Sequence, residues 1–224
     1  MYTPPMFKSD RAASLAFAEA RGFGTICAWN GKQPIASSLP FYLSYAEDGT
    51  PLALFHVARH NPLVKLADSV TPWVLAVNGA DAYVTPDWYE SVDQVPTWLY
   101  QSVHLTGPVR KLSDDELVVQ IDTLSARFEN WLAPKKPWTS AKMTAARLEA
   151  LKKGIVGFSM RIEDVEGSFK LNQHKSEADY AAVANGLAAL PDSGSQTIAQ
   201  LMRETRPQAF AATTNETASL EGSM

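Results

Sequence analysis

Only one cysteine, Cys27, occurs in the 224 residues, so the chain has neither a disulfide framework nor a cysteine-based metal site. In its apolar run Cys27 is expected as a small core residue rather than a nucleophile. Long apolar runs are missing too, and none approaches the ~18 residues a membrane-spanning helix needs. Met1 to Lys8 has no basic segment followed by an apolar one, so no secretory leader is expected. Positive charge is not in excess. Lys and Arg number 20 against 24 Asp and Glu, a formal net charge of −4, which argues against a surface generally suited to phosphate backbones. The 4 histidines are scattered at His56, His60, His104 and His174. His56 and His60 stand four apart, but Asn61-Pro62 disfavours the helix that this spacing needs for a metal site. No glycine-rich phosphate loop, nucleophile elbow, Ser/His/Asp signature or close carboxylate pair stands out. A cytoplasmic globular protein without a membrane segment is the expectation these absences leave.

What is present is ordinary for such a protein: 46% hydrophobic and 20% charged residues, in a chain long enough to bury roughly 70% of its unfolded surface. Ser9-Asp10 offers a cap for a helix over 11–21, ended by Gly22 and Gly24. Beyond it the pattern is β. Phe23 to Trp29 is an apolar run, Asn30-Gly31 a strong hairpin signal, and Pro34 to Tyr45 the returning strand. Further strands are expected over 52–57, 73–78 and 103–111. Gly79 to Tyr100, rich in aromatics and turn formers, reads as a long loop that serves function or an interface. Ser113-Asp114-Asp115-Glu116 starts a helix to about Leu132. A second helix is expected over 139–153, β alternation over 155–165, a helix over 176–190, and a short one over 197–203. Strands first, helices inserted late and no βαβ alternation predict an antiparallel barrel with peripheral helices. Residues 1–190 form one domain in this reading, with inserted helices over 114–153 and a helix over 176–190. Residues 191–224 form an extension with a short helix and a flexible tail.

Three segments could carry chemistry. Phe55-His56-Val57-Ala58-Arg59-His60-Asn61-Pro62 follows a strand, and a turn there can offer backbone N–H groups and a guanidinium to a phosphate monoester. An ordinary solvated turn is the competing reading. In Val95 to His104, Trp98 and Tyr100 share a strand face and either border a planar ligand or pack a core or dimer interface. In Glu166 to Gln173, Ser168, Lys170 and Asn172 alternate with Phe169 and Leu171. Lys170 there supplies positive charge to a bound group, or else the stretch is a solvated edge strand.

Together with Met1-Tyr2-Thr3-Pro4, Leu39-Pro40-Phe41 and Asp81 to Tyr89, these segments run in order over residues 1–190 and resemble the PaiB-like FMN-binding family. The resemblance implies a mainly β (α+β), antiparallel split β-barrel related to pyridoxamine-phosphate oxidase and flavin reductases. It also implies a homodimer with one FMN per subunit at the dimer interface. Carried onto this chain, Ser37, Ser38, Leu39 and Pro40 run along the flavin, and His56, Val57, Ala58, Arg59 and Asn61 hold its phosphate. Trp98, Tyr100, Lys170 and Gln173 complete the pocket, some of them from the second subunit. Where the oxidase relatives use Ser-Arg-Lys, this chain has Arg59-His60-Asn61-Pro62. Pro62 lacks a backbone donor, which makes Arg59 the first candidate for the phosphate.

The first functional expectation is FMN-dependent oxidoreductase chemistry on an unknown small-molecule substrate. Family members are also labelled negative transcriptional regulators, so DNA is a second expected partner, although no helix-turn-helix, zinc finger or basic stripe is found. The densest basic run, Lys135-Lys136 through Lys152-Lys153, is interrupted by Glu149 and reads as a solvated face. A haem-binding split barrel with a histidine ligand is the third.

Overall fold

The computed structural model describes residues 1–68 and 70–214. Ser69 and residues 215–224, part of the expected flexible tail, lie outside the described residues. In chain order the elements are β1 (Lys8–Ser9), α1 (Arg11–Arg21), β2 (Phe23–Trp29), β3 (Pro34–Pro40), β4 (Tyr42–Tyr45), β5 (Pro51–Ala58), β6 (Pro72–Val84), β7 (Thr97–Lys111), α2 (Asp114–Asn130), α3 (Ala145–Lys152), β8 (Ile155–Arg161), β9 (Asp164–Lys170), α4 (Glu177–Ala188) and α5 (Ser193–Thr205). Short 3-10 turns punctuate them. The chain forms two compact units, one of residues 1–10, 78–102 and 167 onward, the other of residues 11–77 and 103–166. Strands β6 and β7 contribute residues to both.

In the second unit the strand order is β3-β2-β6-β7-β8-β5-β4, and every pairing with a defined register is antiparallel. The expected single strand over 34–45 is two strands. Phe41 separates them: its side chain is wholly buried, and its N–H bonds the Gly22 carbonyl at 2.9 Å instead of a strand neighbour. The two halves then pair differently, β3 with β2 and β4 with β5, and stand at opposite ends of the strand order. One continuous stretch of chain thus supplies both ends of the strand order.

Alternation along β5 (Pro51, Ala53, Phe55 and Val57 buried) faces an aromatic core in which the Phe158 ring lies 5.6 Å from Phe55 and 5.9 Å from Trp73. In β2 the inward residues are Gly24, Ile26 and Ala28. Cys27 therefore falls on the other face and is half-buried, not the core residue expected. Helix α2 starts where the sequence predicts, on a capping box: Ser113 Oγ accepts from Glu116 N at 3.2 Å, and Glu116 Oε2 accepts from Ser113 N at 2.8 Å. Helix α3 is shorter than expected, because Thr144 caps it by accepting from Arg147 N at 3.3 Å and leaves Met143 outside.

In the first unit both ends of the expected loop over 79–100, residues 79–84 and 97–100, are strand. Ala82, Val84 and Leu99 are buried against Leu171, Tyr180, Val183, Leu187, Ile198 and Met202, and this apolar support carries β6 past the turn-forming Asn78-Gly79 and lets β7 begin at Thr97. Only 85–96 remains irregular. Ala209 and Phe210, in the extension after residue 190, rest on the same core. Tyr180 is wholly buried, and its hydroxyl donates to the Met202 carbonyl at 2.8 Å. Tyr180→Phe should cost about 1–2 kcal/mol, because the buried carbonyl loses its donor. Burial pushes the phenol up to about 12 from its ordinary 10.0. The unfolded chain thus loses this proton before the folded one does, so its stabilising effect is full below pH 10 and fades as pH rises toward 12. Urea unfolding of wild type and Tyr180→Phe between pH 8 and 11.5 checks both parts, and the difference between them should shrink at the alkaline end.

Candidate functional site

Two clusters contain the residues that the sequence singles out, each within its own unit. In the second unit, Ala58 ends β5 and the chain turns through Arg59, His60 and Asn61. Asn61 organises this turn: its N–H bonds the Ala58 carbonyl at 2.8 Å, and its Oδ1 accepts from Leu63 N at 3.0 Å, capping the 3-10 turn at Pro62–Lys65. Its Nδ2 donates to Ser37 Oγ on β3 at 2.9 Å. The segment expected along the flavin and the segment expected at its phosphate are therefore joined by a hydrogen bond. On β3 Leu39 is buried, Ser37 is half-buried and Ser38 is exposed, with Ser38 Oγ 3.2 Å from Thr25 Oγ1.

Arg59 is the second organiser. Its N–H bonds the Gly154 carbonyl at 2.8 Å. Its guanidinium donates to the carbonyls of Lys153 and of Ile155, the latter at 3.0 Å. Both acceptors are neutral, and Arg59 forms no ion pair with a carboxylate among the described residues. His56 on β5 lies with Nδ1 3.2 Å from Oε1 of the wholly buried Gln120 on α2. Burial holds this imidazole below its ordinary value, partly offset by the Gln120 contact. No group of three or more His, Cys, Asp or Glu that could hold a metal ion occurs among the described residues.

In the first unit, Trp98 projects from the outward face of β7, 54% exposed and opposite the buried Leu99. Its ring meets Tyr83 edge-on at 5.9 Å, and Tyr100 on the same face is half-buried. Lys170 Nζ donates to Thr97 Oγ1 at 2.5 Å and stands 5.9 Å from the centre of the Phe7 ring. Gln173 turns back on its own segment: Oε1 accepts from Leu171 N at 2.8 Å, and Nε2 donates to the Phe169 carbonyl. Asn172, at φ 60 and 1% exposed, occupies the left-handed region that asparagine tolerates better than most residues. Its Nδ2 donates to the Tyr89 hydroxyl at 3.0 Å. A groove of ≈ 300 Å³ runs past Phe7, Tyr89, Thr97, Lys170, His174 and Lys175. Lys175 is not among the residues the sequence singles out, and His174 is there only as one of four scattered histidines; both follow directly on the Lys170–Gln173 segment.

Two of the basic residues before and along α3 are paired with glutamates. Lys135 pairs with Glu129, Lys152 with Glu149 at 2.8 Å, and Lys142 Nζ donates to the Pro137 carbonyl at 3.0 Å. No helix among the described residues is long and apolar enough to cross a membrane.

The strand order and the switch at Phe41 define the class: an antiparallel split β-barrel with peripheral helices. The fold resembles a solved FAD and haem binding protein from Mycobacterium smegmatis, at TM-score 0.53 and 16% identity, over 73% of each chain. The chain belongs to the family described as "Putative FMN-binding domain", whose model matches residues 1–164. It is 31% identical over 205 residues to the protease synthase and sporulation protein PAI 2 of Bacillus subtilis, a match covering 91% of this chain and 97% of that one. It is also 28% identical over 206 residues to an uncharacterized protein of Emericella nidulans, covering 75% of this chain and 81% of the relative.

Proposed function

We propose that this chain is an FMN-binding protein in which β3 and the turn after β5 hold the cofactor. The observation that carries the reading is the hydrogen bond from Asn61 to Ser37, which fixes the two segments against each other. The donor set fits the group. Arg59 spends its hydrogen bonds on neutral carbonyls, so its charge remains uncompensated and suits a phosphate. Ser37 Oγ accepts from Asn61, and its own hydroxyl proton is thereby directed at some other acceptor. Strand β3 ends the strand order, leaving one backbone edge without a strand neighbour among the described residues. Such an edge pairs with a ring that carries its own donors and acceptors, or with a second copy of the chain.

The bound flavin would supply hydride or single-electron transfer, with the protein providing binding, orientation and charge. We read the protein as a cytoplasmic homodimer acting on a small-molecule substrate. DNA binding is the weaker reading, since Lys135 and Lys152 are already paired with glutamates. Titrating FMN-free protein and following flavin fluorescence tests the site. Wild type should saturate, and Asn61→Ala should weaken binding about tenfold, the scale of one lost hydrogen bond. Equal affinity in the two would remove Asn61 and Ser37 from the site.

A further inference from the structure

We infer that the groove of the first unit binds a small flat organic anion, of which an aromatic carboxylate is the simplest kind. Two ammonium groups and an imidazole line it, together with the rings of Phe7 and Tyr89, and no Asp or Glu is among its lining residues. Neither lysine pairs with a carboxylate among the described residues. Lys170 Nζ donates to Thr97 Oγ1 at 2.5 Å, and Lys175 Nζ donates to Gln94 Oε1 while standing 4.9 Å from the Tyr89 ring centre. An ammonium has three N–H donors, and these contacts with neutral acceptors use one from each.

The acidic residues that follow in sequence are committed elsewhere. Glu177 faces Arg206 at 3.9 Å. Asp179 accepts from Ser91 N at 2.9 Å and from Ser91 Oγ at 2.7 Å. Two like charges in one small groove repel each other, and an anion entering between them relieves that repulsion. The aromatic walls supply flat apolar surface for the body of such a ligand.

The walls are also fixed beforehand. Asn172 holds the Tyr89 hydroxyl, Arg206 Nη1 holds the Lys175 carbonyl at 2.8 Å, and Gln94 Nε2 is tied to Ser91 Oγ at 2.9 Å. Less ordering is therefore required on binding, which favours affinity. The inference rests on the flavin reading only for any chemistry after binding; binding itself is independent of it.

Calorimetric titration of the full chain, loaded with FMN, using benzoate, its neutral isostere benzamide and inorganic phosphate tests this. Benzoate should bind at least about tenfold more tightly than benzamide or phosphate. Lys175→Gln should lower benzoate affinity about fivefold to tenfold, Lys175→Arg should retain most of it, and FMN affinity should be unchanged in both. No benzoate binding, equal binding of benzamide or phosphate, or indifference to Lys175→Gln would each overturn the inference. Displacement of FMN by benzoate would overturn it as well, assigning the groove to the flavin and leaving the FMN reading intact. If the protein takes up no FMN, the same titration on the flavin-free chain still decides the matter.

Discussion

Gly107→Ala is expected to leave little folded protein. Gly107 sits in β7, and a Cβ there would lie 1.7 Å from the Arg161 carbonyl oxygen and 2.9 Å from its carbon. The obstacle is backbone, so no side chain can swing aside. That backbone is held on both sides of the contact: Glu163 N–H bonds the Thr106 carbonyl at 2.9 Å, and β7 is registered on β8 at Val109 and Met160. Relieving the overlap requires the end of β8 to leave β7, where the chain turns toward β9. Ordinary overpacking costs about 1–3 kcal/mol, and a backbone overlap of this depth should exceed about 3 kcal/mol. Soluble yield and the urea midpoint measure it. A wild-type midpoint would show that the close approach of Gly107 to Arg161 is absent in solution.

Arg59→Ala should weaken FMN binding by about 1.5–3 kcal/mol, the scale of a hydrogen bond to a charged group. The structure adds a second effect. The guanidinium also ties the turn to the carbonyls of Lys153 and Ile155, so the variant should lose about 0.5–1.5 kcal/mol of stability even without flavin. Arg59→Lys separates the two effects: it keeps the charge but lacks the planar fork that reaches both carbonyls, so more affinity than stability should be recovered. Unfolding and FMN titration of both variants check this. Loss of stability with unchanged FMN affinity would make Arg59 a brace of the turn alone.

Local features were the legible ones. The start of α2 is written within four residues, Ser113 to Glu116, because a capping box closes inside one turn of helix. The Asn30-Gly31 hairpin is equally local, joining β2 to β3 in the register Trp29 to Pro34. Features set by tertiary support were not legible. Nothing within 34–45 announces that Phe41 leaves the ladder, since its partner is the Gly22 carbonyl and its side chain fills a core built by distant strands. The extension of β6 past Asn78-Gly79 and the early start of β7 at Thr97 depend on α4 and α5 beneath Ala82, Val84 and Leu99. At the turn after β5, the residue types point to an anion-binding turn. The acceptors that orient Arg59 lie 94 and 96 residues further along the chain, and no spacing rule spans that distance. The anion groove combines residues near 7, 89–97 and 170–175, so only the assembled unit reveals that its two lysines share one small space without a carboxylate.

The most direct measurement is the visible spectrum of the purified protein, recorded before and after denaturation and after addition of FMN to any flavin-free fraction. A flavin spectrum in the folded protein, release of free FMN on unfolding, and saturation at about one FMN per chain are expected. A colourless protein that also fails to bind added FMN would contradict the FMN reading.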